Sequence, residues 1–301
     1  MKALITNFIL TLLRRISRLS WKSIYKLSDF FSYIVGNVVG YRKKVILENL
    51  RNSFPNYSAS QIDTIAKKYY RNFTDIIFET IKLSSITKPE LLSRFELNMQ
   101  LLDQYYAQRK SAIIVTGHLG NWEMLNLFAS VRFSHQMVIV YHELANQKFD
   151  NWFMDLRTKF GAEMVPMKEA FSKALEPRDK PFLFVLVNDQ SPQPHKAYWT
   201  TFLEQETGVF RGAELIARKL NIPVLYMGIL RNELKRGFYK CYFKIITENP
   251  CEEPNNAILQ KQIQLLEDDI HTQPDNWLWS HRRWKHHKPN TLKKDQLLQI
   301  S

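Results

Sequence analysis

The sequence predicts an α/β fold: a mixed, mainly parallel sheet flanked by helices, behind an N-terminal helical segment of different character. Three observations carry this reading. From Ser111 onward, apolar runs of strand length alternate with stretches of helical period. The run "SAIIVT" leads into the glycine-bracketed turn "GHLGNWE", at the strand end where such sheets bind ligands. Residues 1–50 instead hold short apolar runs punctuated by cations. The chain therefore divides into basic, amphipathic, membrane-associating helices at 1–50 and an α/β unit at 51–301.

At 301 residues, with 45% hydrophobic and 13% aromatic content, the chain can bury a sizeable core and is not a disordered protein. The formal net charge is +13, and residues 1–51 hold ten Lys or Arg against Asp29 and Glu48. A partner with dense negative charge follows, either anionic lipid or nucleic acid. Cys241 and Cys251 form no CxxC pair, which argues against a disulfide framework or a structural zinc and fits a reducing compartment.

The first apolar run, "ALITNFILTLL", is too short to span a bilayer and is followed by Arg14, Arg15, Arg18 and Lys22. A second, Ser28 to Tyr41, closes with Arg42, Lys43 and Lys44. No small-residue cleavage site follows the first run, and a span from Leu4 to Phe31 would bury its cations. Short apolar runs flanked by Arg, Lys, Trp and Tyr suit helices lying in the interface of an anionic leaflet.

Next, Ser58 or Ser60 caps a helix whose positions Ile62, Ile65, Tyr69, Phe73, Ile76, Ile77 and Thr80 recur at helical spacing. Strands follow at "AIIVT", "QMVIVY", "AEMVPM", "PFLFVLVN" and "PVLYMGIL", with helices at "NQKFDNWFMDLRTKFG" and "RGAELIARKLN" between them. "FYKCYFKIITE" alternates as a half-exposed or edge strand, and a last helix runs from about Asn256 to His271 before Gln273 and Pro274.

His118 and Glu123 lie five residues apart, a spacing that a continuous helix would rotate by roughly 140°. They meet only if the chain turns between them, and Gly117 and Gly120 permit that turn. Asn121 then caps a helix with Glu123 in its first turn, where the carboxylate is favoured and can hold the His118 imidazole in one tautomer. The backbone amides around Gly120 and Asn121 are candidates to stabilise an oxyanion. Asp189 follows a second strand and opens a long segment with little regular signal, of the kind that forms lids or binding loops. Arg211 and Glu214 start a helix at i and i+3, where they can pair, or where Arg211 can receive a phosphate or carbonyl oxygen. The C-terminal "NWLWSHRRWKHHKP" suits a nucleic acid, a membrane interface or a solvated basic tail. His286 and His287 make no metal site, since adjacent side chains diverge and no carboxylate or cysteine completes one.

These residues resemble a known family. "GHLGNWE" resembles the HxxxxE motif of the lipid A biosynthesis acyltransferases, the late lauroyl- or myristoyl-type acyltransferases of Gram-negative bacteria. The likeness extends to the basic N-terminus, "VLVNDQSPQ", "TGVFRGAELIARKLNIPV" and "WLWSHRRWK", and so covers most of the chain. It implies a glycerolipid-acyltransferase-like fold and an O-acyltransferase at the cytoplasmic face of the bacterial inner membrane. Such an enzyme moves a fatty acyl group from acyl carrier protein to a hydroxyl of a lipid A precursor in lipopolysaccharide biosynthesis. The implied partners are acyl carrier protein, the lipid A precursor and anionic membrane lipids, with no nucleic acid, no metal and no cofactor beyond the acyl-carrier co-substrate. By resemblance His118 is the general base and Glu123 its orienting partner, while Asp189, Arg211, Glu214 and Arg157 are substrate-binding candidates. The pattern departs at His142, where the family often has Arg, so no arginine role is transferred there.

The chemistry is consistent with these residue types. An alcohol attacks a thioester only as a base accepts its proton, a task suited to neutral histidine. Neither cysteine belongs to a Cys–His motif, so direct transfer is expected rather than an acyl-enzyme. The competing readings are a related acyltransferase acting on another glycolipid or an aminolipid, a basic nucleic-acid-binding protein, and a catalytically idle membrane scaffold. The last two leave the dyad unexplained.

Overall fold

A computed structural model describes residues 2–289; Met1 and 290–301, the latter assigned above to the α/β unit, lie outside the described residues. The chain opens with α1 (Lys2–Ser17), α2 (Trp21–Tyr33), a π-helical turn at Ile34–Val38, α3 (Lys43–Ser53) and α4 (Ala59–Leu83). After α5 (Lys88–Leu92), β1 (Phe95–Leu97) and α6 (Gln100–Ala107), the alternation begins with β2 (Ala112–Thr116), α7 (Trp122–Arg132), β3 (Gln136–Tyr141), α8 (Gln147–Arg157) and β4 (Glu163–Pro166). It continues through α9 (Ala170–Ala174), β5 (Phe182–Val187), β6 (Ala197–Phe202), β7 (Gln205–Phe210), α10 (Gly212–Leu220), β8 (Val224–Arg231), β9 (Tyr239–Thr247) and α11 (Ala257–Thr272).

Seven strands form one sheet in the order β1-β9-β8-β2-β5-β3-β4, parallel throughout except where β9 runs against β8. The mixed, mainly parallel sheet expected from the sequence is therefore present. Every residue of β2 is buried, as a central strand covered on both faces requires. The half-exposed pattern of β9 is also present, but β9 is not the edge: the three residues of β1 pair with Tyr239, Lys240 and Cys241 and cover it. So short a strand carries too little periodicity to be read from sequence.

A second correction concerns the segment after Asp189. It is not an irregular loop but a β-hairpin, β6 against β7, closed by Leu203 and Glu204 with φ of 49° and 62°. Two left-handed residues make the tight turn that matches strand twist, ordinarily signalled by Asn or Gly. Leucine and glutamate give no such signal.

The N-terminal helices are built onto the same body. Ile46 and Leu50 of α3 join the core that packs the sheet, and α4 begins with the capping box of Ser58 and Gln61. Along α4 the apolar stripe is interrupted by the buried acids Asp75 and Glu79. Asp75 receives Ser28 of α2, Arg231 of β8 and Arg236 beyond it, so the acid ties α2 to the sheet. Such buried networks fix position more than they add net stability. Outward, α1 exposes Leu4, Phe8 and Leu12, α2 exposes Phe30, Phe31 and Tyr33, and Val38 and Val39 follow. Among the described residues no helix is long and apolar enough to cross a membrane.

The C-terminal stretch matches only in part the expectation of a solvated basic tail: Arg282, Lys285, His287 and Lys288 are exposed, but its core-facing residues are not. Trp277, Trp279 and Arg283 are buried, with Arg283 donating to Thr207 Oγ1 and the Gly208 carbonyl of the hairpin. Tryptophans that close a core look the same in sequence as tryptophans that face a ligand.

Candidate functional site

The parallel pairing of β2 and β5 builds the site. Thr116 stands opposite Val187, and the Asn188 amide donates to the Thr116 carbonyl at 3.0 Å, so the residues just beyond both strand ends emerge side by side. Those residues carry His118 and Asp189. His118 Nδ1 lies 2.5 Å from Asp189 Oδ1, and Asp189 Oδ2 accepts the His118 amide at 2.8 Å and the Trp277 indole at 2.7 Å.

Burial pushes the Asp189 carboxyl up, but the charge of His118 and the hydrogen bonds from His118 and Trp277 outweigh it and hold it well below the usual carboxylate range. An ionised Asp189 can only accept, so it selects the tautomer with the proton on Nδ1, in which Nε2 is the acceptor. Nε2 faces the Gln190 carboxamide at 3.3 Å, and the Trp122 ring packs edge-on against the imidazole with centroids 4.9 Å apart.

Glu123 does not make the contact with His118 that the spacing suggested. Asn121 caps α7 through its Oδ1, which accepts the Met124 amide at 2.9 Å, so the helix starts at once and carries Glu123 toward α8. There Arg157 holds Glu123 with two hydrogen bonds, Nε at 2.9 Å and Nη2 at 2.5 Å. The planar fork of a guanidinium outcompetes a single imidazole nitrogen for a carboxylate. Burial works against the Arg157 charge, and the bond to Glu123 outweighs it, raising the guanidinium pKa.

The turn consumes most of its own amides. Gly120 N–H donates to the Asn276 carbonyl at 3.1 Å, which removes it as an oxyanion donor, and Leu119 N–H donates to Gly117. Asn121 is buried with its Nδ2 on Glu79, which also receives Tyr25 and Tyr239. Among the described residues the amides of Asn121, Trp122 and Glu123 have no acceptor, as expected at a helix start. The two glycines act differently. Gly120 has φ of +50°, whereas at Gly117 an added Cβ would meet Leu266 Cδ1 at 2.6 Å and Asp189 Oδ2 at 3.3 Å.

His118, Glu123 and Arg157 line one cleft of about 360 Å³, whose remaining wall is largely apolar and includes Met164, Phe171 and Ile216. His142 stands exposed at the same cleft. Arg211 and Glu214 are not brought there. Arg211 occupies the N-cap position of α10 without a capping side-chain hydrogen bond, and Glu214 pairs with Arg218 and the Asn256 amide rather than with Arg211. Sequence reasoning missed Trp277, Gln190 and Trp122 as neighbours of the histidine. Gln190 and Trp122 adjoin residues already singled out, whereas nothing local marks Trp277, which reaches the turn through a bridge to Leu119.

A family model described as bacterial lipid A biosynthesis acyltransferase matches residues 1–286. A search of curated proteins finds no match.

Proposed function

The chain belongs to the bacterial lipid A biosynthesis acyltransferase family, and from that premise we propose that it transfers a fatty acyl group from acyl carrier protein directly to a hydroxyl of a lipid A precursor, with His118 as general base. The observation that carries this reading is the pairing of His118, which lines a largely apolar cleft, with the buried Asp189 behind it.

In the proposed step Nε2 of His118 takes the acceptor's hydroxyl proton as the oxygen attacks the thioester carbonyl carbon. The tetrahedral oxyanion collapses, the carbon–sulfur bond breaks, and the departing thiolate recovers the proton from the imidazolium. Asp189 fixes the tautomer and stabilises that imidazolium, as a buried orienting carboxylate does. The free amides at the start of α7 supply the positive field for the oxyanion. In this reading the acceptor hydroxyl displaces the Gln190 carboxamide, 3.3 Å from Nε2, to reach the base.

The exposed apolar residues of α1 and α2, beside Arg14, Arg15 and Arg18, support attachment in the interface of an anionic leaflet on the cytoplasmic side. Detergent-solubilised protein, acyl carrier proteins charged with different chains, and a hydroxyacylated glucosamine disaccharide test the reading by mass spectrometry. The expected product gains one acyl chain, and the gain vanishes in His118→Ala. Unchanged turnover in that variant overturns the base, and no gain with any donor overturns the donor and acceptor pair.

A further inference from the structure

Two apolar cavities lie on either side of the residues that open α7, next to the histidine. Besides the cleft over the strand ends, a groove of about 610 Å³ runs between α1, α4 and α8, walled by Ile9, Leu13, Phe73, Ile76, Ile77 and Phe153. Trp122 and Glu123 line both cavities, and the Trp122 ring lies against the His118 imidazole. The wall between cleft and groove is therefore the pair of residues that opens α7.

Resting on the acyl-transfer reading, we propose that this groove holds an aliphatic chain already attached to the acceptor, while the cleft holds the chain being transferred. Transfer requires the thioester carbon and the attacking oxygen to approach within roughly 3–3.5 Å, so two chains must leave one point in different directions. The cleft, at about 360 Å³, lies near the low end of cavities that hold one small ligand, roughly 300–1,000 Å³, and has room for one chain. The second needs another apolar space close to His118, and the groove, which reaches Trp122 against the imidazole, is such a space.

Its surroundings assign the occupant. Ile9 and Leu13 face the groove, and beside them on α1 the exposed Leu4, Phe8 and Leu12, spaced four apart, continue an apolar surface outward. A chain arriving from a bilayer keeps apolar contact along this route, whereas one delivered by a water-soluble carrier has no use for it. Arg42, exposed at the rim and held by its bond to the Ser280 carbonyl, places a fixed cation where the acceptor's phosphorylated headgroup would lie.

The test has two arms. In kinetics, Ile77→Trp, at a groove position 41% exposed and so tolerant of size, is expected to raise KM for the acylated acceptor about tenfold, the loss for shutting out roughly two methylenes. KM for the donor and its chain-length preference stay unchanged, while Met167→Trp in the cleft changes that preference and leaves the acceptor KM alone. In binding, His118→Ala protein is irradiated with an acceptor carrying a diazirine at the end of its acyl chain, and labelled peptides from α1 and α4, which line the groove and not the cleft, are expected. Labelling confined to peptides around 139–141 and 164–171, or a donor effect from Ile77→Trp, overturns the assignment. So do unaltered kinetics in that variant. Because the labelling arm needs no turnover, failure of the groove assignment is distinguishable from failure of acyl transfer itself.

Discussion

His118 Nδ1 and Asp189 Oδ1 stand 2.5 Å apart although 71 positions separate them, while Glu123, five positions from the histidine, belongs to Arg157. Replacing Asp189 by Asn leaves an oxygen for the Trp277 indole and the His118 amide, but turns an N–H toward Nδ1 and drives the imidazole proton to Nε2. The expected result is a fall in kcat of about 10³–10⁴-fold with KM little changed. If Asp189→Asn retains wild-type kcat while Glu123→Gln loses it, the orienting role returns to Glu123.

The Glu123–Arg157 pair has a separate signature. Both side chains are mostly buried, at 7% and 15% exposure, so Glu123→Gln strands a charge and is expected to cost about 3–5 kcal/mol of stability. Wild type, Glu123→Leu, Arg157→Met and the double variant form the cycle: each single change strands a charge, whereas the double removes both and should be far more stable than the sum of the single losses. Urea unfolding of the four proteins measures the coupling, and simple additivity would mean that the pair does not act as a unit.

How far this site is legible in the sequence follows from the same residues. Strand, glycine turn and Asn cap are local signals, so the position of His118 at a strand end and the start of α7 are readable. The partner is not, because which strands lie side by side is decided by topology, and only the adjacency of β2 and β5 brings Asp189 to His118. Trp277 is harder still. It reaches Asp189 from a segment whose cations and indoles read equally well as surface, and burial is not encoded in residue type alone.

Gly117 and Gly120 should fail in different ways. Gly117→Ala presses Leu266, whose tip can rotate, and Asp189, which three hydrogen bonds hold in place. A folded protein with kcat lowered by about 10²-fold is expected, the scale of a small misplacement at a reacting centre. Gly120→Ala instead forces a side chain onto φ of +50° and against Tyr239 at 3.0 Å, so loss of stability of at least about 1–2 kcal/mol should precede any catalytic effect. Thermal unfolding beside kcat separates the two; equal behaviour would remove the distinction between a crowded glycine and a left-handed one.

Attachment to an anionic leaflet through α1 predicts a salt dependence. Each cation near such a surface contributes about 1 kcal/mol, and Arg14, Arg15 and Arg18 are exposed beside the apolar row. Changing all three to Gln should weaken binding to vesicles containing anionic lipid and flatten its decline with added salt, with binding to neutral vesicles unaltered. Cosedimentation that ignores both salt and substitution would leave only the apolar face as the anchor.

His281 gives the last prediction, a pH dependence of stability. Burial pushes its pKa down to about 4, and the charges of His118, Arg283 and Lys285 add to this against the opposing charge of Asp189. The fold uses the neutral ring, whose Nε2 accepts the Ser191 amide at 3.4 Å. In the unfolded chain the same imidazole titrates near 6.5, so between about pH 4 and 6.5 the unfolded state binds the extra proton. Stability therefore rises with pH across that window and is lost on acidification, at no more than about 1.4 kcal/mol per pH unit and less for a ring that is only partly buried. Other acids titrate in the same range, so the informative quantity is the difference between wild type and His281→Gln. That difference should shrink as pH falls from 6.5 to 4 and stay flat above 7, and a difference independent of pH would show that His281 is charged in the folded protein or equally solvated in both states.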